Sequence, residues 1–321
     1  MNATLKILVP QEICEELCAP AHEAAPQAEL LPYGEDDMTV RGVDEAEAVL
    51  RWVAGKRFSA LVAQAPRVRW LHTASAGVDH VLTPAVRDKA GLTLTDSGPA
   101  FEIAISEFVL AWMLLVARRL PEFLDNQKAR GWQSLTQAEL SGQTVGIIGL
   151  GPIGRGVAAR AKPFGMRTLG LRRTPLPVPH VDETLTGPDG LARLLTESDF
   201  VVVAAALTGE SRALLGTTQI AQMKPTAWLL NIARGGLVDE DALIAALREQ
   251  RIGGACLDVF ACEPLPAESP LWDLPNVYVT PHSSGWTTAL HDRQKTLFLK
   301  NLARFTRGEP LADVVDKARG Y

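Results

Sequence analysis

The chain has 321 residues, 47% of them apolar, enough for two domains with separate cores, which excludes a disordered or fibrous protein. Its formal net charge of −5 comes from interspersed acids and bases without a long block of either sign, so no electrostatic footprint for nucleic acid or an anionic membrane stands out. The longest uninterrupted apolar run, Phe108 to Ala117, covers about half of the ~20 residues a bilayer span requires, and the N-terminal segment lacks the apolar stretch of a secretion signal, so a cytoplasmic protein is expected.

Over the first hundred residues short apolar runs alternate with helix-like stretches: Lys6 to Val9, then Gln11 to Ala25, then Ala48 to Trp52, Val68 to His72 and Leu92 to Thr95. That rhythm predicts a parallel sheet. A helical segment follows from Phe101 to Arg119, with Pro121 placed to end it and Arg118 and Arg119 at its negative dipole end. It is apolar on more than one face, so cover from a second copy, a homodimer, is expected.

A second alternating series runs through Thr144 to Ile148, Arg167 to Leu171, Phe200 to Val203, Ala227 to Asn231, Gly254 to Leu257 and Val277 to Thr280. Six strands separated by helices predict a doubly wound domain. Thr174 to Pro179 reads as a loop because its prolines remove ladder donors. Thr287 to Arg307 is amphipathic and helical in pattern, and is expected to return to the first domain.

The expected fold is therefore α/β, with two doubly wound parallel-sheet domains. One is discontinuous and flavodoxin-like, residues 1–100 and 287–321, and would bind substrate. The other is a Rossmann domain, residues 101–286, with a cleft between the two and a double crossing suited to a hinge. Cys14, Cys18, Cys256 and Cys262 form neither a CxxC pair nor a zinc-finger spacing, so they read as ordinary thiols, and no metal is expected.

Gly149-Leu-Gly-Pro-Ile-Gly154 directly follows the strand ending at Ile148 and opens a helix, the context that makes a GxGxxG a dinucleotide-binding turn. Gly149 permits the tight turn, Gly151 lets backbone approach the pyrophosphate, and Gly154 allows close helix packing. Pro152 and Ile153 begin the helix whose positive end holds the phosphates. About 20 residues further on, an acid would accept hydrogen bonds from the ribose of NAD. Here the strand ends in Arg172, Arg173 and Thr174, whose guanidinium and hydroxyl groups suit a 2′-phosphate. NADP(H) is therefore preferred, with NAD(H) possible. The bland alternative is two solvated arginines at a strand end. Ala206, Leu207 and Thr208 after one strand and Ile232 and Ala233 after the next are further expected cofactor contacts.

Three more segments stand out: Asn231-Ile-Ala-Arg-Gly-Gly-Leu-Val-Asp239, Leu257-Asp-Val-Phe-Ala-Cys-Glu-Pro264 and Thr280-Pro-His-Ser-Ser-Gly285. With the glycine turn they resemble the D-isomer-specific 2-hydroxyacid dehydrogenases in motif order and spacing over most of the chain. The resemblance implies hydride transfer between a nicotinamide cofactor and a small 2-keto or 2-hydroxy acid, with Arg234, Glu263 and His282 as the catalytic trio.

Residue chemistry agrees. His282 can donate a proton to a ketone oxygen and recover it from an alcohol. Glu263 can hydrogen-bond the other imidazole nitrogen, fix the tautomer and favour the charged ring. Arg234 offers a permanent planar cation for the substrate carboxylate and the polarised carbonyl. Ser284 and Gly285 after the histidine are expected at the cofactor, and Asp258 either holds the nicotinamide carboxamide or caps a loop.

Thr73 to His80 is similar to the family's substrate loop, in which N–H groups around Ser75, Ala76 and Gly77 bind the substrate carboxylate; a plain strand-to-helix turn is the alternative. Trp52 and Trp286 could line the substrate pocket or serve as core or dimer-contact bulk.

Other relatives of the fold fit less well. Formate dehydrogenases carry glutamine where Glu263 stands, and phosphoglycerate dehydrogenases prefer NAD. A dinucleotide-sensing corepressor-like binding protein with little turnover is the alternative from a different functional class.

Overall fold

Two series of short apolar runs become two parallel sheets. In a computed structural model, which describes residues 4–36, 40–52 and 55–321, the chain divides into two units, Met1–Phe101 with Thr287–Tyr321 and Glu102–Trp286.

In the first unit β1 (Leu5–Pro10), β2 (Ala28–Tyr33), β3 (Ala48–Arg51), β4 (Trp70–Thr73) and β5 (Thr93–Thr95) pair in parallel in the order β2-β1-β3-β4-β5, the flavodoxin-like arrangement. Alternate residues serve two cores, as the period of a strand requires. Leu8, Val49, Leu71 and Leu94 pack with Phe58, Leu61 and Val62 of the helix Phe58–Gln64. Ile7, Val9, Leu50 and Trp70 pack with Ile13 and Leu17 of the helix Gln11–Ala24 and with Phe298 and Leu302 of the helix Leu290–Arg307. The last helix is held there by ring stacking of Phe298 on Trp70, centroids 5.5 Å apart.

In the second unit β6 (Thr144–Ile148), β7 (Arg167–Leu171), β8 (Glu183–Leu185), β9 (Phe200–Val203), β10 (Trp228–Asn231), β11 (Gly254–Leu257) and β12 (Val277–Val279) form one parallel sheet in the order β12-β11-β10-β9-β6-β7-β8. Every residue of β6, β9 and β11 is buried, because helices cover both faces of such a sheet. Strand order reverses between β6 and β9, the switch point outside whose carboxyl ends doubly wound sheets bind ligands.

Two strands lack a signal in the apolar pattern, β2 and β8, and both are sheet edges. β2 carries Glu29 and Pro32 and β8 is only Glu183–Leu185, since an edge strand is half solvated and tolerates charge and proline.

The long helix is Gly98–Ala117, and Pro121 does not end it. Arg119 adopts a left-handed conformation (φ 51°), and Pro121 occupies the first turn of a new helix, Leu120–Lys128, where its missing N–H costs nothing. The Gly98–Ala117 helix is 20 residues long with a mean hydropathy of 1.9, long and apolar enough to cross a membrane by length and composition; half of it is buried inside the protein. Counting uninterrupted apolar residues understates it because Glu102 and Glu107 interrupt the run. Glu102 accepts a hydrogen bond from Arg160 at 3.2 Å. All four cysteines are free thiols.

Candidate active site

Three neighbouring parallel strands, β10, β11 and β12, end on the same side of the second sheet, and each is followed by a loop carrying one residue of the expected trio. After β10 the buried Asn231 closes the turn with both ends of its amide: Oδ1 accepts from Ala233 N–H at 3.2 Å and Nδ2 donates to the Arg234 carbonyl at 3.0 Å. This local side-chain capping replaces ladder bonds where the strand stops. The Arg234 guanidinium then donates back to the Ala233 carbonyl at 2.8 Å. Gly235 must be glycine, because a Cβ there would collide with the backbone of Phe260 and Ala261. The arginine turn and the glutamate loop are thus packed backbone to backbone.

The loop after β11 supplies two carboxylates with different duties. Asp258 is fully buried. Its Oδ1 accepts from the Thr280 hydroxyl at 2.6 Å and from Ser283 N–H at 2.9 Å, and its Oδ2 accepts from Ser284 N–H at 3.0 Å. Its carbonyl also accepts from His282 N–H at 2.8 Å. Of the two roles open to it from the sequence, loop capping is the one these bonds display, and they use three of its carboxylate's roughly four acceptor positions.

The result is a clamp on Thr280–Ser284 that holds His282 in a left-handed conformation (φ 50°), uncommon for a non-glycine residue and typical of functional turns. Glu263 Oε2 lies 2.8 Å from His282 Nδ1, while its Oε1 accepts from Phe260 N–H at 3.0 Å. A carboxylate on Nδ1 places the proton there and leaves Nε2 to exchange a proton with a substrate. Glu263 and His282 are both exposed, as access to a substrate demands.

The cofactor elements sit at the switch point. Gly149 has φ 99°, and a Cβ there would stand 2.7 Å from the Ala204 carbonyl, while one on Gly154 would meet the Gly149 carbonyl, so turn and helix close on each other without side chains. Gly151 caps the helix Pro152–Ala161, and a Cβ there meets nothing within 4 Å. The helix N-terminus with Pro152 and Ile153 is therefore open in front, which fits a pyrophosphate resting on free N–H groups. Ala206, Leu207 and Thr208 follow β9 across the switch point, in a loop closed by Ser211, whose hydroxyl donates to the Ala206 carbonyl at 2.7 Å. Ile232 is buried and Ala233 half-buried in the β10 turn.

Arg172 is half-buried and Arg173 and Thr174 are exposed after β7, and Arg173 pairs with Glu210 at 2.5 Å. A 2′-phosphate at this position would compete with the Glu210 carboxylate for the Arg173 guanidinium. Ser284 and Gly285 are buried behind the histidine, and Trp286 is 57% exposed. Among the described residues no group of three or more histidine, cysteine or acidic side chains is placed to hold a metal ion.

In the first unit, Ser75, Ala76 and Gly77 form an irregular loop after β4, half-buried and without a helix at their position. Trp52 is 3% exposed. It belongs to the apolar core, packed edge-to-face with His291 (ring centroids 5.7 Å apart), so of the two readings open to it the structure favours core bulk over a pocket wall. Sequence reasoning gave Asn231 and Gly235 no role of their own. An asparagine at a strand end before a glycine turn was the available signal.

Residues 110–284 match the D-isomer specific 2-hydroxyacid dehydrogenase, NAD binding domain. A glyoxylate reductase of Thermococcus gammatolerans is 36% identical over 292 residues, 88% of this chain and 86% of that protein. A D-3-phosphoglycerate dehydrogenase of Methanocaldococcus jannaschii is 35% identical over 260 residues, 80% of this chain but 49% of that protein, so the chain spans about half that relative's length. The crystal structure of the NADPH-dependent glyoxylate/hydroxypyruvate reductase of Sinorhizobium meliloti, in complex with NADP and sulfate, superimposes with a TM-score of 0.85 at 30% identity, covering 99% of this chain and 100% of that one. The chain belongs to the D-isomer specific 2-hydroxyacid dehydrogenase family.

Proposed function

We propose that this protein reduces a small 2-keto acid of the glyoxylate or hydroxypyruvate kind to the D-2-hydroxy acid with NADPH, NADH serving less well. The observation that carries the reading is the 2.8 Å pair of His282 with Glu263, held beside the Arg234 turn at three adjacent strand ends. When bound, the nicotinamide supplies hydride to the carbonyl carbon. His282 Nε2 donates the proton to the carbonyl oxygen, and Glu263 stabilises the imidazolium before transfer. Arg234 binds the carboxylate and the developing oxyanion.

Arg172 and Arg173 in place of an acid after β7 support NADPH, as does the NADP in the Sinorhizobium enzyme. In this reading the second unit holds the cofactor, the first unit binds substrate through the loop at Ser75–Gly77, and Trp286 borders the substrate's side chain. The protein acts in the cytoplasm as a homodimer. Supporting that state, Ile103, Leu120, Leu124 and Trp132 on and after the apolar helix are exposed. Sedimentation at micromolar concentration as a single chain would exclude the dimer.

The deciding experiment is initial-rate reduction of glyoxylate, hydroxypyruvate, pyruvate and phenylpyruvate with NADPH and with NADH. Turnover favouring NADPH supports the proposal. Tight cofactor binding without turnover on any acid would favour a dinucleotide-sensing binding protein.

A further inference from the structure

The loop leaving β4 has its carbonyls held from behind by the rest of the first unit. Gln294, 3% exposed on the helix Leu290–Arg307, donates from Nε2 to the Ala74 carbonyl at 2.5 Å. Ser97 N–H reaches the Ser75 carbonyl at 3.0 Å. The Ser75 hydroxyl donates to the Gly77 carbonyl at 3.0 Å and stands 2.9 Å from the Thr73 hydroxyl. Thr73 Oγ1 in turn accepts from the buried Arg51 guanidinium at 3.1 Å. Because Arg51 can only donate and the Gly77 carbonyl can only accept, the relay runs one way, Arg51 to Thr73 to Ser75 to Gly77. The C=O and N–H of a trans peptide point in opposite directions. Holding the carbonyls of Ala74, Ser75 and Gly77 therefore turns the N–H groups of Ser75, Ala76 and Val78 the other way.

We propose that Gln294 is a positioning residue for substrate binding: its amide pins the Ala74 peptide, so that the loop's N–H groups are set for a carboxylate before the substrate arrives. This rests on the reading of the loop as the carboxylate site. A neutral donor suits the task, since an acid at position 294 would repel both the carbonyl it faces and the incoming anion. The clamp comes from 220 residues away in sequence, so the return of the chain to the first unit completes the substrate loop as well as the core. Preorganisation of this kind lowers the cost of binding without adding a contact to the ligand.

The test compares the full-length protein with Gln294→Met, which keeps length and loses the donor, Gln294→Glu, which gains a titratable donor, and Gly77→Ala, which alters the loop itself. Glyoxylate kinetics, NADPH affinity by fluorescence and thermal melting are read for each. Gln294→Met should raise the glyoxylate KM about five- to tenfold, the loss expected for one buried hydrogen bond, with a smaller change in kcat and none in NADPH affinity.

Gln294→Glu should raise KM further at pH 8 and recover as the pH falls and the carboxyl gains a proton to donate. A merely structural residue would lower the melting temperature without this pH-dependent recovery, and the pH series carries the test alone if Gln294→Met does not fold. If Gly77→Ala raises KM while the Gln294 variants leave it unchanged, the role of Gln294 is overturned and the carboxylate loop stands. If neither position moves KM, both readings fall.

Discussion

The Glu263 carboxylate holds His282 Nδ1 at 2.8 Å with one oxygen and the Phe260 N–H at 3.0 Å with the other, so the pair is oriented by its own loop. The imidazole tautomer is thereby defined by backbone that is itself packed against Gly235. Replacing His282 by glutamine should lower kcat by about a hundredfold or more, the range for loss of a general acid, with NADPH affinity unchanged. Glu263→Gln should fall between wild type and that variant. Steady-state rates with glyoxylate and fluorescence titration of NADPH check both, and near-normal turnover of the histidine variant would refute the assignment.

The ion pair of Arg173 with Glu210 predicts opposite effects of two nearby changes on one cofactor. Arg173→Ala should weaken NADPH about tenfold or more, as for a charge-assisted hydrogen bond, and leave NADH almost untouched. Glu210→Gln frees the guanidinium from its competitor and should tighten NADPH a few-fold at low salt, fading as salt screens this exposed pair. Calorimetry at two salt concentrations separates the two variants from a general loss of folding.

Gly235→Ala should be costly for both stability and rate. The added methyl has no room against the Phe260 carbonyl, so the Arg234 turn and the Glu263 loop must part. Overpacking of this kind costs about 1–3 kcal/mol or more, seen as a melting temperature lower by several degrees together with a fall in kcat. An unchanged kcat in a destabilised protein would show that the contact serves folding alone.

Two groups on neighbouring strands of the first sheet, His72 in β4 and Asp96 just after β5, make opposing contributions to the pH dependence of stability. Burial pushes the Asp96 carboxyl up from its ordinary 3.8 to about 7, with Asp313 adding to the rise against the Gly98 N–H, which lowers it. Between those values the folded state keeps a proton that the unfolded chain has lost, so this term weakens the fold as pH rises from 3.8 to 7.

Burial drives His72 from 6.5 down to about 3, so below 6.5 the unfolded chain gains a proton first and stability falls as pH drops toward 3. Asp96→Asn keeps an acceptor for Gly98 N–H and removes only the first term. Its advantage over wild type in denaturant midpoint should grow from pH 4 to 7 and then level off. A difference independent of pH would contradict the buried carboxyl.

Much of this protein is written in local patterns. Short runs rich in apolar residues placed β6, β7, β9 and β11 with their observed bounds, and β6, β9 and β11, covered on both faces, show no polar alternation. The glycine turn was legible for the same reason of locality, since Gly149, Gly151 and Gly154 answer constraints between residues only a few positions apart. His282, Glu263 and Arg234 could be read because their chemistry is uncommon and their motifs keep a fixed order.

Tertiary structure decided what depends on neighbours distant in the chain. β2 and β8 are strands only because a partner lies on one side, and their own residues carry no strand signal in the apolar pattern. Trp52 went to the core and Asp258 to a clamp on the histidine turn because burial and hydrogen-bond partners, which no local spacing encodes, assign such roles. Gln294 had no signal at all: an ordinary polar residue on an amphipathic helix meets the Ala74 carbonyl only after the chain has folded back across 220 positions.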